Sequence, residues 1–244
     1  MNNLVPLHDH LVLGRRKLKA IFGGSPSRML KAGELLGGAG ASEAIYRLRA
    51  GWACQFHDLA NGRRVILDVY LPGDVIGLDG GMYNTRPLRE ALTLTAAIIE
   101  TIPAQGRLVE LMSDRSIALY IAFLLGLRQR RSDGLLTAIS GLDARGRLAM
   151  MLLDFYTRLR RRKLVSGPNY NLPLSQAQIG NYLGLTVVHI NRVLRSLRSE
   201  QIVELEKHRV TILDLERLVI MARTGGTASS CAIGRKHELS EAAA

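Results

Sequence analysis

The stretch Gln176–Arg195, with the sequence QAQIGNYLGLTVVHINRVLR, decides how the C-terminal part of this chain folds. Apolar residues recur every three or four positions on both sides of Gly184, which predicts two short helices joined by a tight turn. Gly184 tolerates the positive φ that such a turn requires, and Gly180 lets two steeply crossing helices approach. Five apolar residues are expected to bury the inner faces of these helices: Ile179, Leu183, Leu185, Ile190 and Val193.

The positive charge of the chain is concentrated around this helix pair. The whole sequence of 244 residues has a formal net charge of +12. Residues 144–223 hold 14 Arg and Lys against 6 Asp and Glu, so one third of the chain carries +8 of that charge. Such a concentration is typical of a surface that binds a polyanion.

The outer face of the second helix carries the side chains suited to duplex DNA. Ser175 and Thr186 are predicted to cap the two helices. An arginine can donate two hydrogen bonds to a guanine edge, an asparagine suits adenine, and apolar groups contact thymine methyls. We therefore expect base contacts from Val187, Val188, Asn191 and Arg192. Phosphate contacts are expected from Gln176, Thr186, His189, Arg195 and Arg198.

Two alternating segments after the second helix predict a β-hairpin, or wing. The strands are expected at Ile202–Glu206 and Val210–Leu213, with Lys207, His208 and Arg209 at the tip. Asn171–Leu174 predicts a third short strand. Lys207 and Arg209 are expected to contact the DNA backbone, although an ordinary charged hairpin tip has the same pattern.

The region Ala32–Ile102 is punctuated by turn residues at intervals of about 8–12 positions, which predicts a small barrel or roll. Cys54–Leu59 and Arg64–Tyr70 flank Asn61-Gly62, a strong hairpin signal. After Pro103 the periodicity changes, and Ser113-Asp114 can cap a long apolar helix over residues 114–139. A second copy of the chain would cover that helix, and packing into its own core is the alternative.

Ser140–Asp143 predicts a hinge, after which Asp143 can cap a further helix. The expected domains are a β-roll at 1–112, the long helix and hinge at 113–142, a DNA-binding domain at 143–223 and a disordered tail at 224–244. The fold class is therefore α+β: an N-terminal, jelly-roll-like β-roll, a long dimerisation helix and a C-terminal winged helix-turn-helix.

Composition excludes several classes of protein. The longest nearly uncharged apolar run, Ile117–Leu127, is too short for the roughly 20 residues of a membrane-spanning helix. Two cysteines, Cys54 and Cys231, cannot form a thiolate metal site, and a reducing, cytoplasmic location is expected. Arg15-Arg16 lacks a following apolar segment, so it does not predict export. No catalytic motif is present, and an enzyme is not expected.

The order of roll, long helix, hinge and basic winged helix resembles the Crp/Fnr family of bacterial transcription regulators, over about Leu30–Leu218. The most specific stretches are Leu71–Gly77, LPGDVIG, and Ile179–Arg192, IGNYLGLTVVHINR. The resemblance implies a homodimer joined through the 114–139 helix, binding double-stranded DNA at a palindromic site with half-sites about one DNA turn apart. It also implies RNA polymerase as a partner if the protein is an activator.

The departures from the family pattern concern the effector. In members that bind cyclic nucleotides, a Glu follows the glycine equivalent to Gly77 and an Arg-Ser/Thr pair follows later; here Leu78 follows, and Arg86 and Arg89 have no such neighbour. The effector pocket would be lined by Gly77, Leu78, Arg86 and Arg89, and cyclic AMP is not expected to bind there. Val188 stands where many relatives carry a Glu that reads cytosine.

Other sensors remain as alternatives. The oxygen-sensing branch of the family uses four cysteines for an iron–sulfur cluster, and two are too few. A heme held by His57 or a redox-active Cys54 would make the protein a ligand-switched or thiol-based sensor, although a buried and inert thiol is the usual state of a free cysteine. No cofactor is predicted, and the effector is unknown.

Overall fold

The N-terminal part of the chain forms two antiparallel sheets, as the spacing of its turn residues predicts. The computed structural model describes residues 6–37, 44–78, 90–104 and 106–224. The strands are β1 Ser27–Leu30, β2 Ala44–Ala50, β3 Ala53–Asp58, β4 Arg64–Tyr70, β5 Val75–Ile76, β6 Glu90–Thr93 and β7 Ala97–Pro103. One sheet has the strand order β1-β7-β2-β5 and the other the order β4-β3-β6.

The hairpin predicted around Asn61-Gly62 is confirmed. β3 pairs with β4 in antiparallel register, with Asp58 opposite Arg64. Gly62 has a φ of 78° at the turn, and the Asn61 side chain accepts a hydrogen bond from the Arg63 amide at 3.0 Å. The positive φ of Gly62 and the side-chain hydrogen bond of Asn61 are therefore both features of the turn.

The two sheets face each other across an apolar core. Residues from both sheets are buried in it, including Leu48 of β2, Ala53 of β3, Tyr70 of β4 and Ile99 of β7. A second apolar cluster lies where β2 and β7 meet three helices, which are α1 Leu7–Gly23, α2 Arg107–Ser113 and α3 Arg115–Gly141. The β-roll is thus closed on one side by helices.

Sequence analysis considered Arg15-Arg16 only as an export signal and missed helix α1. Both arginines are exposed, whereas Leu18 and Phe22 of the same helix are buried in the cluster beneath it. Gly14 is also buried, and a Cβ there would lie 2.0 Å from the carbonyl oxygen of Ser116, so a side chain does not fit. Periodicity alone does not reveal this close approach between α1 and the start of α3.

The long helix begins and ends close to the predicted residues. Asp114 caps α3 by accepting hydrogen bonds from the amides of Ser116 and Ile117 at 2.9 and 3.0 Å. Asp143 caps the next helix, α4 Ala144–Arg161, through the amide of Gly146 at 2.8 Å. The chain separates into units Met1–Asp133 and Gly134–Ala244, a division inside α3 rather than at the expected hinge. The predicted domain limits stay predictions.

The second unit contains the expected winged helix-turn-helix elements. They are α4, β8 Asn169–Asn171, α5 Gln176–Leu183, α6 Val187–Ser199, β9 Val203–Glu206, β10 Arg209–Ile212 and α7 Leu215–Thr224. The sheet order is β8-β10-β9. The third strand lies earlier than Asn171–Leu174, because Pro173 has no amide hydrogen with which to extend the ladder. Beyond Thr224, the predicted tail lies outside the described residues.

Within the described ranges, none of the helices combines the length and the apolar character needed to cross a membrane.

Candidate nucleic-acid interface

The first helix of the pair, α5, starts with a reciprocal cap. The Ser175 hydroxyl accepts from the Gln178 amide at 3.2 Å, and the Gln178 side chain accepts from the Ser175 amide at 2.8 Å. This capping box satisfies two backbone donors at the start of α5. The expected cap at Ser175 is confirmed, while Gln176, expected at a phosphate, is the first residue of α5 and is half-buried.

Both glycines of the helix pair have the predicted roles. Gly184 ends α5 in the left-handed region, with φ 67° and ψ 32°. A Cβ on Gly180 would lie 2.5 Å from the carbonyl oxygen of Leu185, so a side chain there would displace the turn. Four of the five predicted inner residues are buried, and Leu185 is half-buried. The two glycines therefore fix how closely the turn packs on α5.

The second helix, α6, presents an open outer face. Its N-terminus is capped by Thr186, whose hydroxyl accepts from the His189 amide at 3.3 Å. Val187 and Val188 are 43% and 76% exposed. The inner face is buried through Ile190, Val193 and Leu197. Val187 and Val188 therefore lie at a capped helix start where a ligand can contact them.

The polar side chains predicted on α6 are not equally free. His189, Arg192 and Arg195 are exposed. Asn191 is half-buried, and its amide donates to the Val187 carbonyl at 3.2 Å. The Asn191 side chain would have to leave that bond to reach an adenine edge, whereas Arg192 is free to extend.

Arg198 differs from the other predicted phosphate contacts. Its Nε lies 3.1 Å from Glu204 and its Nη2 lies 2.9 Å from Glu206, both on β9. Sequence analysis did not identify these ion pairs, because β9 returns to the end of α6 only in the folded domain. In this structure the Arg198 guanidinium faces carboxylates of its own chain.

The wing tip has an unusual backbone. Lys207 and His208 have φ values of 45° and 66°, which two-residue hairpin turns require and which glycine or asparagine normally supplies. The His208 ring nitrogen Nδ1 lies 3.2 Å from the Leu172 carbonyl, and the Leu172 amide donates to the His208 carbonyl at 2.7 Å. Lys207 and Arg209 are exposed beside this anchored residue.

The expected effector pocket is only partly described, because Gly77 and Leu78 are the only two of its four predicted residues within the described ranges. Gly77 has a φ of 89°, and a Cβ there would lie 2.7 Å from the Ala44 carbonyl oxygen, so this position requires glycine. Leu78 is 4% exposed and belongs to the apolar cluster formed with Phe22 and Ile117. The apolar side chain of Leu78 is thus buried under the helices, and its place in the effector pocket stays a prediction. Arg86 and Arg89 lie outside the described residues.

Two arginines of the long helix α3 reach the β-roll instead, which sequence analysis missed. Arg128 donates to the side chain of Gln55, which also accepts from the Tyr70 hydroxyl at 3.2 Å. Arg131 pairs with Asp68 at 2.9 Å. Gln55 and Asp68 are 7% and 5% exposed. These contacts join α3 to strands β3 and β4 through buried polar groups.

The two residues named for the alternative sensors lie in different surroundings. Cys54 is 2% exposed, and burial raises the pKa of its thiol to about 12, so the reactive thiolate is absent at neutral pH. His57 is exposed at the end of β3. Within the described residues no group of His, Cys, Asp and Glu side chains is arranged to hold a metal ion.

Comparisons with known proteins agree with this arrangement. Residues 146–220 match the model of the Crp-like helix-turn-helix domain. The transcriptional activator protein Anr of Pseudomonas protegens is 28% identical over 197 residues, covering 80% of each chain. The anaerobic regulatory protein of Haemophilus influenzae is 26% identical over 205 residues, covering 82% of this chain and 74% of that protein. These relatives are regulators and not enzymes, as the absence of catalytic motifs suggested.

Solved structures show the same fold at low identity. The structure of FixK2 from Bradyrhizobium japonicum matches with a TM-score of 0.69 at 20% identity, covering 86% of this chain and 99% of that one. A transcriptional regulator of the CRP family from Thermus thermophilus matches with a TM-score of 0.64 at 22% identity, covering 81% and 97%. The predicted α+β fold class is confirmed. Together these similarities support a transcription regulator of the Crp/Fnr family with a Crp-like helix-turn-helix domain.

Proposed function

We propose that this DNA-binding transcription regulator reads a palindromic promoter site as a homodimer through α6. The observation that carries the proposal is the outer face of α6, where Val187, Val188 and Arg192 are exposed at the N-terminal half of a capped helix. Helix-turn-helix proteins place that half of the second helix against base edges in the major groove.

Direct readout is assigned to four side chains of α6. Arg192 donates two hydrogen bonds to a guanine edge, and Val187 and Val188 pack on thymine methyl groups. Asn191 reads adenine after its side chain leaves the Val187 carbonyl. Because an arginine pair with guanine is the most discriminating of these contacts, Arg192 dominates specificity.

Phosphate contacts position the DNA-binding unit of each protomer on the duplex, and they carry no sequence information. We assign them to Gln176 and Thr186 at the starts of the two helices, to His189 and Arg195 on α6, and to Lys207 and Arg209 at the wing tip. Backbone amides at helix starts and cationic side chains are the usual donors to phosphate. Arg198 is left out because its guanidinium is held by Glu204 and Glu206.

Dimerisation is assigned to α3, over the predicted residues 114–139. Large apolar side chains remain exposed along this helix: Phe123 at 43%, Leu136 at 65% and Ile139 at 36%. A second copy packed along the same helix would cover them. The α6 helices of the two protomers, the recognition helices, would then meet successive major grooves about 34 Å apart.

The effector domain is inferred not to bind cyclic AMP. Leu78 occupies the position of the ribose-binding Glu and is buried in apolar surroundings. Hydroxyl groups brought against it would lose their hydrogen-bond partners, at about 1–3 kcal/mol. The effector itself is unassigned. The location is inferred to be the bacterial cytoplasm, where the DNA lies, and RNA polymerase is the expected partner if the protein activates transcription.

Selection of bound genomic fragments, followed by footprinting at several salt concentrations, tests this function. We expect a discrete footprint over two inverted half-sites, with affinity that falls as salt rises. A protected region without symmetry would contradict the dimeric mode. Binding that is equally strong on every sequence would contradict a specific regulator.

A further inference from the structure

Arg198 stands at the end of the recognition helix and is shared between two carboxylates of the wing. Glu204 and Glu206 alternate along β9, so their side chains lie on one face of the strand. The two Arg198 contacts, 3.1 Å from Nε and 2.9 Å from Nη2, lie along one edge of the guanidinium. One arginine therefore bridges α6 to two successive residues on the same face of the wing.

The register of the wing fixes the positions of both carboxylates. Glu206 pairs with Arg209 across the hairpin and Glu204 pairs with Thr211. Glu206 is thus placed between Arg198 on the helix and Arg209 on the neighbouring strand. Since directly opposed strand residues have side chains on the same face, Glu206 has a cation on each side of it.

We propose that Glu204 and Glu206 hold Arg198 away from the phosphate backbone, so that Arg198 positions the wing and the carboxylates limit sequence-independent binding. The proposal rests on the proposed DNA-binding function of α6 and the wing. Arg198 acts through the wing and is a positioning residue, while Lys207 and Arg209 make the phosphate contacts there.

The charge balance favours this arrangement over a phosphate contact by Arg198. If Arg198 turned to a phosphate, Glu204 and Glu206 would remain near the DNA with one fewer cation beside them. The two carboxylates and the DNA phosphates are all negatively charged and repel one another. This repulsion offsets the free energy gained from one phosphate contact by Arg198. In the observed arrangement the single arginine faces two acids, which leaves the cluster without surplus positive charge.

Arg195 provides the matched comparison. It lies three residues before Arg198 on the same helix, it is exposed, and it makes no ion pair with any residue that the structure describes. The two arginines have the same chemistry and neighbouring positions on α6. They differ because carboxylates of the same chain pair with the Arg198 guanidinium and not with that of Arg195.

The test measures the affinity of the full chain for a duplex of arbitrary sequence across about 50–200 mM salt, by fluorescence anisotropy. Each phosphate contact contributes about 0.9 to the slope of log affinity against log salt, or about 3.5-fold in affinity over that range. Because each substitution is present in both protomers of the homodimer, we expect R195Q to lower the slope by about 1.8 and R198Q to leave it unchanged. A loss of slope in R198Q equal to that in R195Q would overturn the proposal.

Removing the carboxylates gives the opposite expectation. The isosteric double substitution E204Q/E206Q, at one half-buried and one exposed position, should free Arg198 in both protomers. The slope should then steepen by about 1.8, and the affinity for arbitrary sequence should rise several-fold at low salt. Adding R198Q to that pair should return the slope to the wild-type value, because the effect passes through Arg198. If the triple variant keeps the steeper slope, the carboxylates act by their own charge and the assignment to Arg198 is wrong.

Failure of this proposal and failure of the proposed function give different results. The slope comparison needs only salt-dependent binding to any duplex, and circular dichroism checks that each variant is folded. A wild-type protein that binds every sequence equally would contradict the proposed function while the slopes of R195Q and R198Q still decide the role of Arg198.

Discussion

Arginine side chains contact acidic or amide side chains in both units of this protein. These contacts are largely buried in the first unit and exposed in the second. In the first unit, the pair of Arg131 with Asp68 has side chains that are 20% and 7% exposed. In the second unit, Arg198 and its partner Glu206 are 60% and 56% exposed. The buried contacts fix the long helix on the β-roll, whereas the exposed contacts lie where DNA would bind and can respond to it.

The largest expected effect concerns a buried pair. Asp68→Ala leaves the Arg131 guanidinium without its carboxylate in a largely buried place, and we expect a loss of about 2–3 kcal/mol in the free energy of unfolding. Trp52 is the single tryptophan of the chain and is 8% exposed in the β-roll, so its fluorescence during urea unfolding reports on this unit.

Asp58→Ala is the matched control for that measurement. Asp58 pairs with Arg64 at 2.8 Å, but the two side chains are 49% and 42% exposed. Exposed ion pairs contribute little to stability. Equal losses for the two substitutions would remove the distinction between buried and exposed pairs.

The open face of α6 depends on close packing beneath it. Gly180→Ala places a Cβ against the Leu185 carbonyl oxygen, at 2.5 Å without rearrangement, and should cost about 1–3 kcal/mol. DNA affinity should fall with it, because the turn sets the orientation of α6. Gly167→Ala, at a position with no atom within 4 Å, is the control in thermal unfolding and anisotropy. A neutral Gly180→Ala would show that the turn is not tightly constrained.

Arg192 is exposed on α6, and its substitution should change the sequence specificity of DNA binding. Arg192→Ala should reduce discrimination at one base pair of each half-site by about 1–3 kcal/mol without changing the folded stability. The measurement is competition between duplexes that differ at single positions. An equal loss of affinity for all sequences would place Arg192 at a phosphate instead.

The smallest expected effect on stability concerns Glu200, which is half-buried and bonds to Arg145 and Ser196. Its exposure is intermediate between the buried pair Arg131–Asp68 and the exposed pair Arg198–Glu206. Hydrogen bonds from Arg145 and Ser196 lower the pKa of its carboxyl below the usual range. The resulting stabilisation is present above the unfolded-state pKa of about 4.3 and is lost as pH falls through the lower folded-state pKa. Because the pair is partly exposed, the contribution is under about 1 kcal/mol.

The measurement for Glu200 is urea unfolding of the wild type and Glu200→Gln at several pH values. The difference between them should be constant near neutral pH and should shrink as the solution is acidified below about pH 4. A difference that persists unchanged in acid would mean that the Glu200 charge does not stabilise the domain.

Sequence patterns predicted the winged unit more completely than the first unit. Helix caps at Ser175, Thr186 and Asp143 and the turn at Gly184 are local features, and a single stretch of chain contains all the groups involved. The effector-pocket expectation for Leu78 came from resemblance alone and stays a prediction, and sequence analysis did not predict the burial of Leu78 under the helices. Its surroundings depend on α1, which begins 71 residues earlier in the chain.

What the sequence by itself determined is the α+β class, the positions of the strand turns and the helix pair that carries α6. These follow from residue periodicity and from glycines and caps that act over a few positions. Tertiary structure alone decided that Arg128 meets Gln55, 73 residues away, and that Arg198 faces two wing carboxylates. Contacts between distant residues depend on how completed elements pack, and an arginine has the same sequence signature whether it meets a carboxylate or a phosphate.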